Sequence, residues 1–318
     1  MNRKSYIYCF SLLIMLLSCS ISCSGKKSKD MKASDIINLI KKGKDVLVYD
    51  KVISGDLDFT EMEKYYVFAF PNMETHIPVN VSFSNCVFMG KVVGSSNRAV
   101  DGSKKKVNVF SVFEKNLTFF DCDFRGEVAM DEMVVNGKLE CSKSIFRENT
   151  SFNSLYVRGT HVGFVDMESE KNFSMCYAHF MCDANFMDAK FKGRANFLGM
   201  NVDKVMFSNA EFGEEVDFSN SNFKGDALFN YVKYTSGAQF SFSKYYGDLD
   251  FMSSSCAGDV SFERSFFYGR IRLIKTQFDA KVELKDAVSV LLPEIRETKF
   301  SSDTLKWNTL KRVEVDLK

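Results

Sequence analysis

Residues 183–223 read DANFMDAKFKGRANFLGMNVDKVMFSNAEFGEEVDFSNSNF, and here large apolar side chains return at alternating intervals of five and six residues. Phe186, Phe191, Phe197, Val202, Phe207, Phe212, Phe218 and Phe223 mark the beat, with one shortened step before Phe207. Followed outward, one lane at 11-residue spacing runs Phe119, Met130, Cys141, Phe152, Phe164, Met175, Phe186, Phe197, Phe207, Phe218, Phe229, Phe240, Phe251, Phe262, Leu273 and Leu284. A second lane, offset by five, runs from Phe124 to Phe278, and only Ser169 breaks its apolar character. Phe is 32 of 318 residues, so sixteen positions taken at random would hold about one or two, whereas the first lane holds eleven. The spacing slips by plus one between Phe152 and Phe164 and by minus one between Phe197 and Phe207, and the two slips cancel.

An 11-residue period fits either three turns of a right-handed coiled coil or a stack of very short strands. Apolar pairs decide between them. Leu117 with Phe119, Val128 with Met130, Val205 with Phe207, Val216 with Phe218 and Val260 with Phe262 all lie two apart, the period of an extended chain. Between the pairs lie Gly, Asn, Ser and Asp, which are turn residues. In the six-residue steps Gly recurs at one phase, at Gly126, Gly137, Gly159, Gly193, Gly225, Gly247, Gly258 and Gly269, which predicts positive φ at each such corner. The five-residue steps favour Asn, Asp or Ser, as in Ser208-Asn209-Ala210 and Ser219-Asn220-Ser221, types that tolerate the left-handed region next best.

A chain that turns every five or six residues closes a four-cornered coil, and successive coils stack as parallel strands. From Phe119 to Leu284 this gives about seven and a half coils in a rod on the order of 36 Å long. Burying each ring contributes roughly 2 to 3 kcal/mol before entropy is subtracted, so the internal Phe column carries the fold.

Stretches such as Asp183-Ala184-Asn185-Phe186-Met187-Asp188-Ala189-Lys190-Phe191 and Val216-Asp217-Phe218-Ser219-Asn220-Ser221-Asn222-Phe223 resemble pentapeptide-repeat proteins, in a Phe-centred variant that alternates five and six. The resemblance covers about half the chain. It implies an all-β solenoid, a right-handed quadrilateral parallel β-helix, with the Phe and the small residue two before it pointing inward. It carries no catalytic motif. Some cytosolic members imitate DNA and block topoisomerases, a role that would need a strongly acidic rod.

The termini organise the rest. Residues 1–24 hold Arg3 and Lys4, an apolar core from Tyr6 to Leu17 and then small residues, the pattern of a secretory signal too short for a membrane span. Leu16-Leu17-Ser18-Cys19 resembles a bacterial lipobox, which makes Cys19 the expected lipidation site and Cys23 the alternative. Export to the bacterial cell envelope, with a lipid anchor in the outer membrane, follows as an expectation. Residues 25–52 read as a tether and a capping helix, with Ser34 as N-cap, Ile36, Ile37, Leu39 and Ile40 on the apolar side and Gly43 as the stop. Residues 53–113 read as irregular first coils with a loop inserted at 94–106. Gly55-Asp56-Leu57-Asp58-Phe59 recurs letter for letter as Gly247-Asp248-Leu249-Asp250-Phe251. The regular β-helix spans 114–288, and 289–318, with Leu305, Trp307 and Leu310, reads as a C-terminal cap that keeps apolar strand edges from pairing end to end.

Reactive chemistry is hard to find in the sequence. His76, His161 and His179 fall in no triad or metal motif, and phosphate loops, CxxC pairs and HExxH helices are lacking. The outward lane through Thr118, Glu140, Ser151, Asn185, Asp217, Gln239, Asp250 and Ser261 shows no acid cluster. No catalytic residue, cofactor or metal is therefore expected. Cysteine usage argues against disulfide stapling: Cys86, Cys122, Cys141 and Cys256 read as inward hydrophobes, and Cys176 and Cys182, six apart and open to being neighbours at successive corners, have no His or acidic partner at ligand spacing. Taking Arg3 and Lys4 from the 42 basic residues leaves 40 against 41 acidic ones, a net charge of −1. That balance argues against DNA mimicry and against nucleic-acid binding alike. The sequence thus favours a non-catalytic envelope lipoprotein that contacts a protein or a glycan, with a carbohydrate-active β-helix enzyme as the rival.

Overall fold

The computed structural model describes residues 30–62, 66–69, 72–99, 106–301 and 311–312. The leader with Cys19 and Cys23, residues 25–29, residues 100–105 of the expected loop, and the expected cap residues Leu305, Trp307 and Leu310 lie outside the described residues.

Each coil visits four sheets in turn, here called faces 1 to 4. The first coil places Val46–Tyr49 on face 1, Val52–Ser54 on face 2 and Leu57–Asp58 on face 3, and face 4 begins with Tyr66–Ala69 and Asn72–Ile77. Face 2 has twelve strands, so about twelve coils stack into a rod roughly 50 Å long. Pairing between coils is parallel and in register, as in Val205 with Ala227 on face 1 and Glu211 with Lys233 on face 2. The coil begins before the expected Ile53, because Val46–Tyr49 already pairs with Val81–Ser84. It also continues beyond 288, through Glu294–Arg296 on face 1 and Lys299–Phe300 on face 2.

Faces 1 and 3 are opposite, and the first lane alternates between them. Its rings therefore meet across the middle of the rod. Phe218 stacks on Phe197 at 5.0 Å and on Phe240 at 5.2 Å, one coil below and one above, while its edge meets Phe207 at 5.1 Å and Phe229 at 5.0 Å. Phe119, Phe152, Phe186, Phe197, Phe207, Phe218, Phe229, Phe240, Phe251 and Phe262 are all buried. The second lane fills faces 2 and 4 in the same way, with Phe191, Phe212 and Tyr234 in one column and Phe223, Tyr245 and Phe267 in the other.

The five-residue corners are left-handed, as their Asn, Asp and Ser suggest, but the six-residue corners differ from the sequence expectation. None of the eight recurrent glycines has a left-handed φ. The left-handed residue instead sits in every five-residue corner, two after a first-lane residue, and is mostly not glycine: Asn209 at φ 61°, Asn220 at 56°, Tyr231 at 61°, Phe242 at 59°. A neighbouring coil holds these residues in place, since Asn209 N–H donates to the Asn230 carbonyl at 3.1 Å and Tyr231 N–H to that of Met252 at 2.8 Å. Inward hydroxyls take up the corner carbonyls, as Ser254 Oγ does for Phe229 O at 2.6 Å and Thr276 Oγ1 for Phe251 O at 2.7 Å. Glycine in the six-residue corners answers a different need, because backbone there lies directly on backbone. A Cβ on Gly258 would stand 2.5 Å from the Ser236 carbonyl carbon, and one on Gly193 2.6 Å from that of Lys171. The repeated pentapeptide shows the contrast: Gly55 has nothing within 4 Å of a Cβ position and adopts φ 82°, whereas Gly247 lies against Gly225 and does not.

Helix α1 spans Ala33–Lys41 and buries Ala33, Ile36, Ile37 and Ile40 over the first coil, with Leu39 partly buried. Ser34 is not its N-cap. That position belongs to Lys32, which makes no side-chain capping bond, because Asp30–Lys32 is already a strand paired with Val52–Ser54. Gly43, at φ 68°, closes the helix with its N–H on the Ile40 carbonyl at 2.8 Å.

Candidate functional site

Face 4 carries the departures from the repeat. Where other strands are two residues long, Tyr66–Ala69 and Asn72–Ile77 form an antiparallel hairpin, and Ser95–Ala99 forms another with Lys106–Phe113. The two hairpins join through Asn72–Ile77 and Lys106–Phe113, which pair in parallel from Met73 with Val109 to Ile77 with Phe113. The expected loop at 94–106 is thus in part a strand, because alternation in Val107-Asn108-Val109-Phe110-Ser111 extends the ladder away from the corner. The described residues of this excursion form a four-stranded wing. Arg98 fixes it to the first coil, bonding Asp58, Thr60 Oγ1 at 2.6 Å and Ser96 Oγ at 3.0 Å.

At the base of the wing, His76 lies between two carboxylates, Nδ1 at 2.5 Å from Glu114 and Nε2 at 3.0 Å from Glu74. Partial burial works to raise the Glu114 pKa, but hydrogen bonds from His76 and Asn136 outweigh it and hold that carboxyl below its ordinary value. A chain of contacts leads on along the face. Asn136 Nδ2 donates to Glu114 at 2.6 Å, Arg158 Nη1 donates to Asn136 at 3.3 Å, and the guanidinium lies over the Tyr156 ring at 5.0 Å. Tyr156 packs on the His179 ring at 4.8 Å, and its hydroxyl reaches Met181 Sδ at 3.2 Å. Burial first, then the charge of Lys224, lowers the His179 pKa, which favours the neutral ring. Further along, Tyr246 and Tyr268, both more than 40 % exposed, stack at 4.7 Å, with Phe266 tilted against Tyr268 at 4.4 Å.

Both spacing slips fall on the edge between faces 4 and 1. The usual three residues between strands, Lys224-Gly225-Asp226, become four at Arg158-Gly159-Thr160-His161 and two at Asp203-Lys204. The added residue brings His161 Nε2 to 3.4 Å from Glu140 on face 1, where Gly163 leaves the room a side chain would occupy. Burial works to raise the Glu140 pKa, yet bonds from Ser142 and Lys138 keep it lowered. Sequence reasoning placed Glu140 in a bare outward lane and missed this cluster, whose only trace is the extra residue in the beat.

The other faces are plainer. Face 2 is a ladder of ion pairs, Arg147 with Asp123 and Glu170, and Lys192 with Glu168. Face 3 shows small hydroxyls and amides, with Ser174 Oγ on Asn153 Oδ1 at 2.6 Å and Ser241 on Ser261 at 2.8 Å. Between faces 2 and 3 runs an open groove of about 670 Å³, where Glu215 pairs with Arg194 at 3.0 Å beside Glu214 and Asp259. Cys176 and Cys182 are not neighbours: the first precedes the face 4 strand His179–Phe180 and the second follows it, and both are free thiols. Among the described residues no group of three or more His, Cys, Asp or Glu is placed to hold a metal, and no helix is long and apolar enough to cross a membrane. No protein family, curated protein or solved structure matches the chain.

Proposed function

We propose that the chain is a non-catalytic cell-envelope lipoprotein of the pentapeptide-repeat type, a rigid rod that presents face 4 to an envelope protein or glycan. One observation carries this reading. Both hairpins, both spacing slips, all three histidines and the stacked pair Tyr246 and Tyr268 lie on face 4 or on its edge with face 1. In stacked-repeat proteins irregularities collect on the face that binds, because elsewhere they would disturb a core shared with neighbouring coils. Tyr, Phe, Met and Arg side chains are also the types enriched at the centres of contact surfaces. The lipobox-like Leu16-Leu17-Ser18-Cys19, with Cys23 as the second candidate, supports anchoring at the membrane. The near-neutral chain favours an uncharged or mixed-charge partner over a polyanion.

The test compares a Tyr156→Ala/Tyr246→Ala/Tyr268→Ala variant with a face 2 control, Lys190→Ala, for retention on isolated envelopes and on a panel of envelope polysaccharides. Loss confined to the face 4 variant is expected, and equal retention of both variants would reject the assignment. Globomycin treatment with a Cys19→Ala control tests the anchor, and unchanged processing would reject lipidation there. Reproducible product formation from any of the polysaccharides would end the non-catalytic reading.

A further inference from the structure

Cys86 and Cys122 stand 36 positions apart in the sequence and one coil apart in the rod. Cys86 precedes the strand Val87–Phe88 and Cys122 precedes Asp123–Phe124, strands that pair Val87 with Asp123. Asp123 N–H donates to the Cys86 carbonyl at 2.8 Å, so the two residues are successive rungs of one inward column. Neighbouring strands lie about 4.8 Å apart. That spacing falls inside the window of about 4.4 to 6.8 Å between Cα atoms that a disulfide bridges. Both are buried free thiols, and each donates to the backbone carbonyl two residues before it, Cys86 Sγ to Ser84 O at 3.3 Å and Cys122 Sγ to Phe120 O at 3.5 Å.

We propose that Cys86 and Cys122 form a disulfide that locks the second coil to the third, on the edge between faces 1 and 2. The oxidant is a disulfide-bearing thiol oxidase or oxidised glutathione. Cys86 thiolate attacks one sulfur of the oxidant, whose S–S bond breaks to release a thiolate. Cys122 thiolate then attacks the Cys86 sulfur and displaces the second oxidant sulfur. The chain gives up two electrons and two protons, which leave on the oxidant as two thiols. Exchange takes place while the coil is still closing, since the finished column buries both sulfurs. The proposal stands apart from the assignment of face 4, because it concerns the interior and is read out chemically.

The test refolds the purified full chain in a glutathione buffer with the oxidised form in excess, alkylates it under denaturing conditions without reductant, and digests it for mass spectrometry. The expected result is a linked peptide pair joining Cys86 to Cys122, two hydrogens lighter than its halves, with Cys141, Cys176, Cys182 and Cys256 alkylated. Quantitative alkylation of both Cys86 and Cys122, or a link from either to another cysteine, would overturn the proposal. Cys86→Ser and Cys122→Ser suit the column, where Ser144 and Ser254 occupy equivalent rungs. Each variant should unfold at a urea midpoint unmoved by dithiothreitol, while that of the parent drops. A parent midpoint that ignores dithiothreitol would also overturn it.

Discussion

Replacing Phe218 by Ala tests whether the internal column holds the rod. Its ring is fully buried, stacked between Phe197 and Phe240 and met edge-on by Phe207 and Phe229 at 5.0 to 5.2 Å. Removing a buried Phe from a core costs about 3 to 5 kcal/mol, cavity included. Aromatic pairs add about 0.5 to 1.5 kcal/mol each beyond area, though four pairs around one ring do not sum. The upper end of the range, about 5 kcal/mol, is therefore expected. Phe278→Ala is the internal comparison, since that ring stacks on Phe300 at 5.4 Å near the last described coils, and about 3 kcal/mol is expected there. Urea unfolding followed by far-ultraviolet circular dichroism reads both values, and amide exchange shows whether protection is lost in the coils on either side of Phe218 first. A loss under about 1.5 kcal/mol for Phe218→Ala would mean that the column does not carry the fold.

The corners yield opposite expectations for two glycine-related changes. Asn209→Gly should alter stability by only a few tenths of a kcal/mol, whereas Asn209→Val, forced to φ near 61°, should cost about 1 to 2 kcal/mol in thermal or urea unfolding. Gly258→Ala, though its φ is not left-handed, should cost about 1 to 3 kcal/mol because its Cβ would press on the Ser236 backbone, and a neutral result would disprove that contact. Glu140 governs an acid response. Its folded pKa lies below the ordinary 4.5, so its contribution is fully present above that value and disappears as pH falls through the lower folded value. Glu140→Gln should therefore flatten the decline of melting temperature below pH 4.5, and an unchanged decline would remove the carboxylate from the account.

The architecture was legible because burial repeats with the coil: Phe207, Phe229 and Phe251 return to the same depth on the same face. What depends on contact between coils was not. The glycines at 193 and 258 looked like conformational residues, but the coil packed against them excludes a Cβ, and no local pattern reports that. Ser34 looked like a cap until the strand Asp30–Lys32 moved the helix start to Ala33. The wing hid as noise between Glu61 and Phe113, since a hairpin that leaves the rod interrupts the beat without breaking the ladder. For the same reason the two cysteines seemed unrelated, their separation being one coil plus the length of that excursion. The contacts among His76, Glu114, Asn136, Arg158 and Tyr156 join residues from four successive coils, and single positions give no sign of it.

The register that pairs each coil with the next has a bearing on inheritance. A segment of one full circuit can be duplicated or removed by recombination between similar stretches of gene, leaving every remaining neighbour in place. Length is thereby an adjustable quantity, graduated in steps of about 4.8 Å. The rod is a ruler, and the distance from helix α1 to the tyrosine pair is a dimension that selection can set one graduation at a time.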